Sequence, residues 1–249
     1  MSFLAYLPPD LAALTLPLIL AYLRVQAALL VFPVLSERVV GARLRVALAV
    51  VLTPLTLAVS GLNTAPEGIE AFAVLALREM LVGLLIAIPA RIMAMALHVA
   101  TSAIGATASL SQIIGTGTEA APHPIGNLMH MAGLALLMAM GLPLLLLDLI
   151  AQSYQGFPAG QLAVGDGHTT AVIGLVTRSF VLAMALASPF ILGGLLYQML
   201  TGVVNRVMPS LPVVFIGAPA IILLALAALA VLAPAILSGW AEAVFIHAR

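Results

Sequence analysis

The chain has 249 residues, of which 63% are hydrophobic and only 7% charged, and its mean hydropathy is +1.23. A soluble domain carries about 25% charged residues to solvate its surface, so most of this surface must face lipid or apolar protein. The net charge is zero, lysine and cysteine are absent, and this excludes a basic nucleic-acid face, disulfides and thiolate chemistry.

The opening residues Met1-Ser2-Phe3-Leu4-Ala5-Tyr6 lack the basic n-region of a signal peptide, so the first helix is expected to be retained. A bilayer crossing needs roughly 20 apolar residues, and six segments meet or approach that length: 11–35, 46–62, 71–97, 128–147, 179–204 and 207–241. The first carries Arg24, the third Arg78, Glu79 and Arg91, and the fourth stops at Asp148. Each is apolar nearly all round, as expected of helices buried in lipid or among neighbours, and the alternation of an outer-membrane barrel is absent. The expected fold is an all-α integral membrane protein of about six long helices, forming a single domain over 1–249.

Polar punctuation separates these runs. Ser36-Glu37-Arg38 through Arg45 forms a short arginine-bearing turn, residues 61–68 read as a Gly/Asn/Pro loop, and Pro158 and Gly165-Asp166-Gly167 mark another at 156–168. The stretch from Gly105 to Pro124 is long, small and polar. With six crossings, Arg38, Arg43, Arg45 and Arg206 share one side, which the arginine bias reads as cytoplasmic, with both termini opposite. Prolines 17, 54, 89, 143, 189, 219 and 234 fall inside apolar runs and predict kinked helices whose freed carbonyls need partners.

Ionisable residues inside apolar spans cost several kcal/mol unless they are used. Arg24, Arg78, Glu79 and Arg91 are therefore either a proton or ion relay or charges that pair with a neighbour or reach the interface. Asp148, at a span end, reads as solvated. His123 and His130 sit seven residues apart with Pro124 between them, which does not suit a helical metal face, so neither a metal nor another cofactor is expected. Gly115-Thr116-Gly117-Thr118 lacks the lysine and strand of a phosphate loop. Met129, Met131, Met138 and Met140 either fill gaps between helices or form a deformable seal. The small residues 100–109 predict close helix packing. No catalytic constellation is visible: there is no cysteine, no Gly-x-Ser-x-Gly and no paired intramembrane carboxylate.

In its last quarter the chain runs Ala187-Ser188-Pro189-Phe190, then Asn205-Arg206-Val207-Met208-Pro209, then Phe215-Ile216-Gly217-Ala218-Pro219. This succession of proline-bearing helix, Asn-Arg-x-x-Pro turn and Phe-x-Gly-x-Pro opening resembles the FliR family of flagellar export-gate proteins, whose injectisome relatives share the fold. Asn205, Arg206, Pro209, Phe215, Gly217 and Pro219 carry the likeness, while Ser210 and Pro212 stand where many relatives have Gln and Asn. Arg24, Pro33 and Arg43-Leu44-Arg45 resemble the family's first hairpin, Arg78-Glu79 with Gly83 its third apolar segment, and Ser153-Tyr154-Gln155-Gly156-Phe157-Pro158 its Ser-aromatic…Pro loop.

The resemblance implies a non-catalytic subunit of the bacterial inner membrane, at the flagellar basal body. FliP-like and FliQ-like gate subunits, other membrane proteins of the export apparatus and unfolded export substrates are its implied partners. It also implies a helical gate that rises out of the bilayer plane, so that not every apolar segment need cross. By position, the loop from Gly105 to Ala121, with Ser109, Ser111, Gln112, Gly115, Gly117 and Glu119, takes the place of the family's pore-blocking plug. Gly117-Thr118-Glu119 stands there where relatives often carry a Phe-Asp-Pro-like element. The competing expectation is a secondary transporter of a small solute, with a midplane site near Arg24 and Glu79.

Overall fold

The computed structural model describes residues 9–61, 68–107, 124–160, 166–208 and 213–248. Among the described residues there are seven α-helices and no strand: α1 (Pro9–Val31), α2 (Ala42–Ser60), α3 (Ile69–Thr107), α4 (Pro124–Ala139), α5 (Leu142–Gly156), α6 (Asp166–Val207) and α7 (Val213–Ala248). They form two compact units, one from Met1–Ile92, Leu137–Ile173 and Phe245–Arg249, the other from Met93–Leu136 and Gly174–Val244.

In the first unit α1 packs on α2 and α5, and α2 on α5. α1 buries Leu20, Ala21, Arg24, Val25, Ala28 and Leu29, a stripe at helical spacing that Phe32 continues just past the helix end. α2 inverts the pattern of a water-soluble helix. It buries Ala49, Thr53, Thr56 and Ser60 and exposes Val46, Val50, Val51, Leu55 and Val59. The inward hydroxyls bond carbonyls of their own helix, Thr53 Oγ1 to Ala49 O (2.6 Å) and Thr56 Oγ1 to Thr53 O (2.9 Å). They therefore need nothing from the neighbour and let its backbone come close. The large apolar side chains are left outside, where only lipid or another protein suits them.

Between α1 and α2 the chain reverses through Pro33–Val34–Leu35. Val34 has φ 67° and Leu35 N donates to Pro33 O at 2.8 Å, a three-residue γ-turn in a backbone region that β-branched residues avoid. Arg45 holds the reversal by donating to Glu37 O (2.7 Å) and Val40 O (2.9 Å).

The second unit is organised around Trp240 of α7, which is fully buried and donates its indole N–H to Met93 O of α3 at 3.1 Å. Gly133 of α4 is pressed against it: a Cβ there would run into Leu97 Cδ2 and stand 3.0 Å from Trp240 Cζ3. Glycine lets α4 sit against the large ring.

Four helical stretches are long and apolar enough to cross a membrane: Ala42–Ser60, Ile69–Gly105, Thr170–Val207 and Leu223–His247. Fewer than a quarter of the residues in each window are buried, so the rest require an apolar surrounding outside the chain. The sequence predicts about six long apolar helices; among the described residues four, or five if a bent pair counts as one, are long and apolar enough to cross. The bent pair corrects the segment read as one span over 128–147. Gly126–Ala139 and Leu142–Gly156 meet at 63°, because Gly141 takes φ 91°, where glycine alone is unstrained. Pro143 then stands in the first turn of α5, a position needing no amide hydrogen. Asp148, read as the end of that span, lies inside α5 and accepts from Gln152 Nε2 at 2.8 Å. The last apolar run, predicted over 207–241, is α7 (Val213–Ala248), and Val207 instead ends α6.

Candidate functional site

The buried charges of the first unit form one node. Arg24 (0% exposed) on α1 donates Nε to Glu79 Oε2 (1% exposed) on α3 at 2.6 Å. Its remaining nitrogens reach the end of α5 and the chain beyond, Nη1 to Ser153 Oγ at 3.1 Å and Nη2 to Phe157 O at 3.2 Å. The guanidinium carbon lies 3.8 Å from the centroid of the Tyr154 ring, within cation–π range. Glu79 uses its second oxygen, Oε1, to accept from Gly160 N at 2.7 Å, while neighbouring Arg78 donates to Gly160 O at 2.8 Å. Two adjacent residues of α3 thus hold both backbone groups of one glycine.

Local structure explains the reach. Gly83 stands one helical turn after Glu79, and a Cβ on it would fall onto the Arg24 carbonyl. The missing side chain brings α1 and α3 together, so that Arg24 and Glu79 meet without water between them. Gly160 takes φ 75°, and a Cβ there would strike Leu75 of α3. A pair so buried is not a net stabiliser by default, since desolvation offsets its Coulomb energy. Here the extra hydrogen bonds to Ser153, Phe157 and Gly160 give every Arg24 nitrogen and both Glu79 oxygens a partner and set the geometry.

A second pair lies further along α3, against the turn that follows α1. Arg91 Nη1 of α3 meets Glu37 Oε1 at 3.1 Å and Ser36 Oγ at 2.8 Å, just beyond α1. Both contacts advance together along the chain, 24 to 79 and 37 to 91, so α1 and α3 run in the same direction. The polarity is reversed between them: α3 supplies the anion to a cation on α1 in one pair and the cation to an anion on the following turn in the other. Sliding α1 along α3 would break both pairs at once, so together they specify the register.

All four charges flagged in the apolar runs, Arg24, Arg78, Glu79 and Arg91, therefore have partners within the first unit. What the residue pattern left unseen is the receiving side: Ser36, Glu37, Ser153, Phe157 and Gly160. The sequence signals for the last three were the Ser153–Pro158 stretch, for Ser153 and Phe157, and the loop at 156–168, for Gly160. Of the proposed plug, Gly105 lies in the last turns of α3, which reaches Thr107, rather than at a loop's start. Ser109, Ser111, Gln112, Gly115, Gly117 and Glu119 lie outside the described residues, as do His123 and Pro209.

In the second unit, Asn205 and Arg206 end α6 with exposed side chains. Gly217 of α7 faces Tyr197 of α6 so closely that a Cβ would meet its hydroxyl, which accounts for glycine at that motif position. Phe215 and Pro219 are helical positions of α7 whose side chains are outside the described residues. Met129 is buried, Met131, Met138 and Met140 are exposed, and His130 stands edge-on to His98 with centroids 5.6 Å apart. Among the described residues no group of three or more His, Cys, Asp or Glu is placed to hold a metal ion.

Long apolar helices that leave most of their surface uncovered, with one buried charge pair holding two of them in the first unit, define a multi-pass α-helical membrane protein. The chain belongs to the bacterial export proteins, family 1, whose family model matches residues 15–245. It is similar to the flagellar biosynthetic protein FliR of Caulobacter vibrioides, 28% identical over 90% of each chain. It is also similar to FliR of Escherichia coli, 27% identical over 86% of this chain and 83% of that one, and to FliR of Bacillus subtilis, 26% identical over 81% and 80%.

Proposed function

We propose that this chain is a subunit of the flagellar type III protein export gate, which forms a closed channel for unfolded substrates together with FliP-like and FliQ-like subunits. The observation that carries the reading is the family match over residues 15–245, on a chain whose helices leave most of their apolar surface for lipid or other subunits. The subunit acts by packing and gating and has no catalytic step of its own. The transporter reading loses its support at the node, because both Glu79 oxygens and three Arg24 nitrogens are engaged within the chain, leaving neither charge for a solute.

By position, the segment between Gly105 and Ala121 serves as the plug of the channel. Its small, mostly uncharged residues suit a segment that must yield to a passing chain. Shortening it within an assembled gate is expected to raise ion conductance across the membrane while co-purification with FliP-like and FliQ-like subunits is retained. Unchanged conductance in an intact assembly overturns the plug role, and failure to co-purify the unmodified chain with those subunits overturns the gate reading.

A further inference from the structure

We propose that the turn joining α1 to α2 is a docking surface for anionic phospholipid, with Arg38 and Arg43 holding the headgroup phosphate. The charges of this turn divide cleanly by use. Glu37, its one acid, is neutralised by Arg91, and Arg45 is spent on the carbonyls of Glu37 and Val40. Arg38 and Arg43 remain, both exposed and neither with a hydrogen-bond or ion-pair partner among the described residues. The turn therefore presents two uncompensated positive charges and no competing anion.

The surroundings favour a lipid over a soluble anion. Val39 is 80% exposed and Leu44 54%, so each free arginine has a bare apolar side chain beside it. Ala42 begins a stretch long and apolar enough to cross the bilayer, and its outward face continues the apolar surface through Val46, Val50 and Val51. Guanidinium groups at the mouth of a lipid-facing helix stand at headgroup depth, with the apolar side chains directed to the acyl boundary. Guanidinium also matches phosphate oxygens in a fork geometry that ammonium lacks. A protein partner would have to cover this turn and the continuous apolar face of α2 together, whereas a phospholipid presents both chemistries in one molecule.

The test uses the full chain purified in neutral detergent and native mass spectrometry against phosphatidylglycerol and phosphatidylcholine of equal chain length. Basic residues near an anionic surface contribute about 1 kcal/mol each, a factor of about five. Retention of phosphatidylglycerol relative to phosphatidylcholine is therefore expected to fall about five-fold in R38Q or R43Q and about thirty-fold in the double variant. Arg178→Gln, which removes an exposed arginine of α6, should leave the ratio unchanged. Neither arginine of the turn supports the fold through a described contact, and helicity by circular dichroism checks this. An unchanged ratio in the double variant overturns the proposal. So does an equal loss in Arg178→Gln, which would mark a bulk charge effect, or displacement by millimolar inorganic phosphate, which would mark a free-anion site. Loss of export partners from the double variant with lipid retention intact would make the turn a protein contact and overturn it as well. The gate reading is tested separately, by co-purification of the unmodified chain and by conductance, so the two can fail independently.

Discussion

Arg24 and Glu79 show how a single residue's cost becomes specificity. Each would be prohibitive alone in an apolar interior, and their value lies in what they hold. Replacing Arg24 with Met strands a buried carboxylate, and the expected loss is about 3–5 kcal/mol of stability in thermal unfolding of the detergent-solubilised chain. Pairing it with Glu79→Leu should lose less than the sum of the two, with a coupling of about 1–3 kcal/mol in the double-mutant cycle; additive losses would mean the pair does not act as a unit. Gly83→Ala is expected to destabilise by about 1–3 kcal/mol, because the methyl group meets a backbone carbonyl that cannot rotate away. The same substitution at Gly174, which has open space around it, should be harmless in the same assay. The importance of Arg24 and Glu79 was readable in the sequence, since charges in apolar runs are costly. Their shared partners were not, for Ser153 and Phe157 lie 129 and 133 positions from Arg24, and no local periodicity reports such a contact.

At the scale of elements, the two reversed-polarity pairs make a direct prediction about α1 and α3. Arg91 and Glu37 are 35% and 23% exposed, so their attraction is screened and worth less than about 1 kcal/mol. Arg91→Glu alone should cost more than this, because it sets two carboxylates together. Exchanging both residues, Glu37→Arg with Arg91→Glu, should restore most of the wild-type midpoint in thermal unfolding. No recovery on exchange would show that the hydrogen bond to Ser36, and not the charge pair, fixes this end. Apolar length marked the helices well, because a run of some twenty apolar residues has few alternatives to a helix. It failed at Gly141. The flanking Met140 and Leu142 continue the apolar run unbroken, and only the positive φ of the glycine between them divides α4 from α5. At the opposite end of the chain the prolines at 209 and 212 were counted inside the last segment, although residues preceding proline avoid the helical region and α7 starts only at Val213.

For the molecule as a whole, membrane residence followed from charge scarcity and family membership from a short run of motif residues, of which Gly217 has a packing reason in Tyr197. The sequence said less about where lipid stops and protein begins, because acyl chains and neighbouring helices select the same side chains. Helix length supplies that distinction. At 1.5 Å per residue, the 39 residues of α3 extend about 58 Å and the 42 of α6 about 63 Å, against roughly 30 Å of hydrocarbon. On the gate reading, sister subunits supply the apolar cover that this overhang needs. Stripped of them, the lone polypeptide should gather an oversized detergent collar, and light scattering should record that collar shrinking, per subunit, as the complex is rebuilt.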